Sequence, residues 1–149
     1  MKKILFVCLG NICRSPLAQG IARDYINKNN LDIIVDGAGT GDWHVGNAPY
    51  PNVQKVSLEF GIDISSLKAR QVTPDDFAEF DLLVGLDEKN VADLKNLGCT
   101  NVVKLGNYIE GNPDIPDPYF FEGYEGYDTV FKLIEQCIIK LLEKENNTK

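Results

Sequence analysis

Near its amino end the chain reads FVCLGNICRSP, from Phe6 to Pro16. A thiol, Cys8, closes a short apolar run, and five residues separate it from Arg14. A loop of that length can curl around one small anion. Its backbone N–H groups can turn inward, toward the amino end of the helix that follows, where aligned donors and the helix dipole bind phosphate. Gly10 and Asn11 both tolerate the left-handed conformation that such a tight loop needs. Arg14 adds a planar fork that can bond two phosphate oxygens at once. A thiol in that field is favoured as thiolate, the nucleophilic form. Ser15 could give its hydroxyl hydrogen to the sulfur, or could serve only as a helix cap.

Attack of a thiolate on phosphorus leaves an alkoxide or phenoxide that needs a proton. His44 is the one histidine, and it lies in a different loop. The stretch DIPDPYFFEGYEGY offers Asp114 and Asp117 instead. The proline after Asp117 stiffens the loop, and Tyr119 and Phe120 could wall a pocket. An Asp-Pro turn with surface aromatics is the competing reading. Other chemistries fit less well. There is no GK[ST] of a nucleotide P-loop and no CxxC. With one histidine, Cys8 and Cys13 need remote help from Cys99 or Cys137 to build a four-ligand zinc site. Neither a metal nor a cofactor is expected.

The elements that must position these residues show in the periodicity. Ile4–Val7 is short, continuous and apolar, as a buried strand is. Ser15 and Pro16 predict a helix start, with Ser at the N-cap and Pro at the first helical position. Leu17, Ile21 and Tyr25 then recur every fourth residue, as far as NKNN. Ile33–Val35 predicts a second strand, closed by a glycine-rich loop, DGAGTGDW. A helix is expected from about Asn52 to Phe60 and a short turn at Pro74 capped by Thr73. A third strand over Leu82–Leu86, a helix over Glu88–Leu97 and a fourth strand over Val102–Leu105 follow. Gly106–Gly126 reads as a long loop. Val130, Leu133, Ile134, Cys137, Ile138, Leu141 and Leu142 make the apolar stripe of a last helix, and residues 146–149 read as a frayed tail. Alternating strands and helices predict an α/β fold in a single domain spanning 1–149, a four-stranded parallel sheet with helices on both faces. The Cys8, Trp43, Asp87 and Asp117 loops then leave from the carboxyl edge of that sheet, where ligands bind.

The 149 residues, 44% hydrophobic, suffice for one core. A net charge of −7 argues against a nucleic-acid partner. The first apolar run is too short for a secretory leader or a membrane span. A cytoplasmic location without membrane insertion is expected, with secretion lacking a signal peptide left open. Glu110, Asp114, Asp117, Glu122, Glu125 and Asp128 lie between Lys104 and Lys132 with no Lys or Arg among them. They read either as a solvated acidic loop or as an acidic rim facing a basic anion site.

VCLGNICRSP, with DPYFF far downstream, resembles the low-molecular-weight protein tyrosine phosphatase family over nearly the whole chain. GTGDWHVG, KARQVTPDDF and LDEKNVADL fit as well. The resemblance implies a metal-free protein-tyrosine-phosphatase. Cys8 would form a cysteinyl-phosphate. Arg14 would bind the phosphate and stabilise the transition state. Asp117 would protonate the tyrosine leaving group and then activate water. Leu9, Gly10, Asn11, Ile12, Cys13 and Arg14 would supply the phosphate cradle, with Asn11 and Ser15 holding the loop and the thiolate. Ile12, Trp43, Tyr119 and Phe120 would form the substrate pocket. The partner would be a phosphotyrosine-containing protein or peptide, and the chain itself a monomer or weak dimer.

The family often has a second tyrosine where this chain has Phe120, and some members have a histidine where it has Leu67. Bacterial arginine phosphatases of this fold carry Thr in place of Ile12, and an apolar Ile12 suits a phenyl ring better than a guanidinium. Arsenate reductases of this fold use a further cysteine pair, whereas Cys99 stands alone in its region and Cys137 lies on an apolar face. A phosphopeptide-binding module or a phosphocarrier is a different class; Asp117 in a loop favours hydrolysis over either. Cys13 is expected to pair reversibly with an oxidised Cys8.

Overall fold

In a computed structural model of the protein, residues 2–118 and 124–147 are described. The strands are β1 (Lys2–Cys8), β2 (Ile33–Gly39), β3 (Leu82–Gly85) and β4 (Val102–Lys104). They form one sheet in the order β2-β1-β3-β4, and every pairing is parallel. The helices are α1 (Arg14–Asn29), α2 (Pro51–Glu59), α3 (Pro74–Glu79), α4 (Glu88–Asn96) and α5 (Glu125–Asn147).

The central strand divides its side chains by the period of two that a pleat imposes. Ile4, Phe6 and Cys8 face the larger core, with Leu17 and Ile21 of α1, Val53 and Val56 of α2, and the stripe of α5. Leu5 and Val7 face a smaller core with Leu94 of α4 and Phe77 of α3. Both faces are therefore covered, as the unbroken apolar run of β1 requires. On α5, Val130, Phe131, Ile134, Cys137, Ile138, Leu141 and Leu142 are fully buried. At about 1.5–3 kcal/mol for each large aliphatic side chain, that stripe is a principal clamp on the sheet.

The strand order reverses at β1. The chain passes to β2 on one side, then crosses to β3 on the other. Loops leaving β1 and β3 diverge there and open a crevice at the carboxyl ends of the strands.

Four sequence expectations change. β2 does not stop at Val35 but runs on through Asp36, Gly37, Ala38 and Gly39 beside β1. Its glycines make room, because a Cβ on Gly39 would lie 2.7 Å from the Leu9 carbonyl oxygen. Ser15 is not a helix cap: α1 begins at Arg14 with Cys13 at the N-cap and no side-chain cap bond. The supposed long loop is interrupted by a 3-10 turn over Leu105–Tyr108. The helix α5 continues through Asn147 rather than fraying from 146, and Glu145 pairs with Lys2 at 3.1 Å. Among the described residues, no helix is long and apolar enough to cross a membrane.

Candidate active site

The loop after β1 wraps around the Cys8 sulfur. Asn11 takes a positive φ of 56°, which an asparagine tolerates better than most residues. That turn aims its backbone N–H at Cys8 Sγ, 3.3 Å away. The Ser15 hydroxyl oxygen lies 3.1 Å from the same sulfur and 2.6 Å from Asn11 Oδ1. Cys8, Asn11, Arg14 and Ser15 are all at least nine-tenths buried, so water competes little for these bonds. The end of β2 lies alongside: Thr40 N–H donates to the Cys8 carbonyl and Gly41 N–H to the Leu9 carbonyl, each at 2.9 Å.

Arg14 is fixed from below. Its Nη1 donates to Asp87 Oδ2 at 2.6 Å and to the Ile115 carbonyl at 3.0 Å. Its Nη2 lies 3.9 Å from Asp117 Oδ2, and its Nε has no partner among the described residues. Burial alone would lower the pKa of the guanidinium, but Cys8, Asp87 and Asp117 more than offset this and hold it above its ordinary value. Asp87 also caps α4, accepting from the Asn90 backbone N–H at 2.7 Å, so one carboxylate joins that helix to Arg14.

Above the sulfur is a cavity of about 180 Å³ lined by Cys8, Leu9, Gly10, Ile12, Cys13, Trp43, His44 and Asp117. Trp43 is 69% exposed. Its ring sits where a side chain at Gly41 would be, the nearest ring atom 2.1 Å from an ideal Cβ there. The indole is thus both exposed and seated. Cys13 is buried at the cavity base, and burial, with Asp117 and Cys8 adding to it, pushes its thiol up. Among the described residues, no cluster of three or more His, Cys, Asp or Glu could hold a metal ion.

The residues expected from sequence meet here: Cys8, Leu9, Gly10, Asn11, Ile12, Cys13, Arg14, Ser15, Trp43 and Asp117. Tyr119 and Phe120 lie outside the described residues. The two candidate acids separate. Asp117 is on the cavity wall, whereas Asp114 is turned to Lys104 at 3.0 Å. The acidic segment is not a uniform rim either, since Asp128 also carries an ion pair, to Lys132 at 3.2 Å. Sequence reasoning missed the support from Asp87, although its place one residue before a helix is a cap signal. It also set His44 aside because it lies in a different loop from Cys8. His44 in fact lines the cavity, its Cδ2 3.0 Å from where a Cβ on Gly10 would stand.

A family model described as low molecular weight phosphotyrosine protein phosphatase matches residues 3–149. The chain is 35% identical to the low molecular weight protein-tyrosine-phosphatase YfkJ of Bacillus subtilis over 153 aligned positions, 97% of this chain and 98% of that one. It is 36% identical to the low molecular weight phosphotyrosine protein phosphatase of Sus scrofa, covering 96% of this chain and 95% of that one. The crystal structure of YfkJ superposes with a TM-score of 0.91 over 100% of this chain and 98% of that one. A Drosophila structure described as an arginine phosphatase superposes equally well, with a TM-score of 0.91 at 30% identity and full coverage of both chains.

Proposed function

The chain belongs to the low molecular weight phosphotyrosine protein phosphatase family, and on that premise we propose that it hydrolyses phosphotyrosine in proteins through a cysteinyl-phosphate on Cys8. The observation that carries the reading is the Cys8 sulfur held by the Asn11 N–H and beside the Ser15 hydroxyl at the floor of a cavity walled by Asp117.

The substrate phosphate sits on the sulfur within the backbone donors of Leu9 to Arg14. Arg14, pinned through Nη1, turns its Nε, which has no partner among the described residues, to the phosphate and neutralises the charge that builds on the equatorial oxygens. Cys8 Sγ bonds to phosphorus as the bond to the tyrosine oxygen breaks. The Asp117 carboxyl gives its proton to the departing phenolate. Water then attacks phosphorus, Asp117 takes the water's proton, and the P–S bond breaks to return the thiolate and free phosphate. Backbone donors and Arg14 supply the charge stabilisation at each step. Ile12, Leu9 and Trp43 flank the phenyl ring. We read the enzyme as cytoplasmic and as a monomer or weak dimer, the latter tested by sedimentation velocity.

The test is initial rates on matched phosphotyrosine, phosphoserine and phosphoarginine peptides in chelator. The parent, Cys8→Ser and Asp117→Asn are compared. Turnover of phosphotyrosine alone, lost in Cys8→Ser and slowed about 10²–10⁴-fold in Asp117→Asn, is expected. Preference for phosphoarginine would replace the substrate, and Ile12 would then not set specificity. Binding without turnover would replace catalysis with recognition.

A further inference from the structure

Lys104, the last residue of β4, is a buried charge that the chemistry above does not use. It is 6% exposed. Its ammonium donates to the Asn112 carbonyl at 2.7 Å and to Asp114 Oδ1 at 3.0 Å, and it lies 2.9 Å from Glu88 Oε1. The same Asp114 oxygen accepts from the Glu88 backbone N–H at 3.1 Å. An ammonium has three hydrogens, and three acceptors surround this one.

What Lys104 ties together is the root of the Asp117 loop and the start of α4. One residue beyond Asp114, the Ile115 N–H donates to the Leu86 carbonyl at 2.9 Å. The Ile115 carbonyl accepts from Arg14 at 3.0 Å. Glu88 follows Asp87, the carboxylate that holds Arg14. Two residues further along the loop, Asp117 faces Arg14. The anchors of Arg14 and the root of the Asp117 loop are therefore one junction, and Lys104 stands at its base.

The Glu88 and Asp114 carboxylates are 70% and 50% exposed, and an ion pair open to water on one side is a poor source of stability. Its use is to fix one arrangement among several. We propose that Lys104 is a positioning residue: by tying Asn112 and Asp114 to Glu88, it sets Asp117 on the cavity wall where the leaving group needs its proton. The inference rests on the phosphatase reading.

The test uses Lys104→Met, which keeps the length of the side chain and removes the charge. Asp114→Asn loosens the same junction from its half-exposed side and serves if the first variant folds poorly. Values of kcat/KM are measured on aryl phosphates of graded phenol acidity. A misplaced acid matters most for phenols that leave poorly. The expected loss is about tenfold or more for the least acidic phenol and under about threefold for the most acidic. Exchange of the Ile115 amide, which needs no turnover, should quicken in both variants while the amides of β1 stay protected. Variants that lower the melting temperature yet lose activity equally across the series would overturn the proposal, as would unchanged Ile115 exchange. Turnover by the parent tests the phosphatase reading, and the ratio of variant to parent tests this one.

Discussion

The Cys8 sulfur sits 3.1 Å from the Ser15 hydroxyl oxygen, and one hydroxyl hydrogen must serve both that sulfur and Asn11 Oδ1, 2.6 Å away. With Cys8 as a thiol, Ser15 can donate to Asn11 and accept from the sulfur. A thiolate has no hydrogen to give, so the Ser15 hydrogen must turn to it. Ser15→Ala removes that donor. A hydrogen bond to a charged group is worth about 1.5–3 kcal/mol, so kcat should fall about 10- to 150-fold with the fold intact. A kcat equal to the parent's would show that the hydroxyl serves only the loop.

Asp87 is the counter-charge beneath Arg14. Asp87→Ala leaves a nearly buried guanidinium with the Ile115 carbonyl and a distant Asp117. Breaking a buried pair by removing one partner costs about 3–5 kcal/mol, and α4 loses its cap as well. A drop in melting temperature is expected together with weaker inhibition by inorganic phosphate. Unchanged phosphate inhibition would mean that Arg14 keeps its aim without Asp87.

Gly39 has no room for a side chain. Its ideal Cβ would stand 2.7 Å from the Leu9 carbonyl oxygen and 3.1–3.2 Å from Gly10 C and Asn11 N. These are backbone atoms of the loop after β1 and cannot swing aside. Gly39→Ala should cost about 1–3 kcal/mol of stability, as overpacking does, and should raise KM. Crystals of the variant with an undisplaced loop would contradict this.

Cys13 bears on oxidation. Peroxide converts the Cys8 thiolate to sulfenic acid, and the Cys13 sulfur then displaces water to form the disulfide. Because burial pushes the Cys13 thiol up, closure should quicken as pH rises. Peroxide-treated Cys13→Ser should regain less activity with added thiol than the parent. Equal recovery would remove Cys13 from this role.

Cys137 gives a stability signature. Burial raises its thiol from 9.0 to about 11. Between those values the unfolded chain has lost a proton that the folded chain keeps, so stability falls as pH rises. The slope approaches about 1.4 kcal/mol per pH unit, and nothing from this group is lost below pH ~8. Denaturant unfolding of Cys137→Ala should show a shallower decline above pH ~9 than the parent. Parallel declines would assign the slope to other groups.

The path from sequence to site was legible where one rule acted alone. A continuous apolar run ended at Cys8, and the spacing to Arg14 matched a loop that closes on one anion. The need for an acid on the same sheet edge pointed to Asp114 or Asp117, and the fold puts Asp117 on the cavity wall. The misses arose where tertiary contacts decided. Gly37 and Gly39 read as loop because glycine weakens an isolated strand, yet here the strand needs them to pass under the loop that follows β1. Ser15 carries the pattern of a cap, but the sulfur and Asn11 claim its hydroxyl. Asp87 carries a local cap signal, but its bond to Arg14 spans 73 residues, and the Lys104–Asp114 pair joins a strand end to a loop, where no helical or strand period applies.

The most direct measurement of the central claim is to trap the intermediate. Asp117→Asn is mixed with a phosphotyrosine peptide, quenched at intervals from milliseconds to minutes, digested and mapped by mass spectrometry. The account predicts one phosphate per chain, on Cys8, formed as tyrosine is released and lost slowly to water. Turnover with no phosphate on Cys8, or phosphate on another residue, would contradict it.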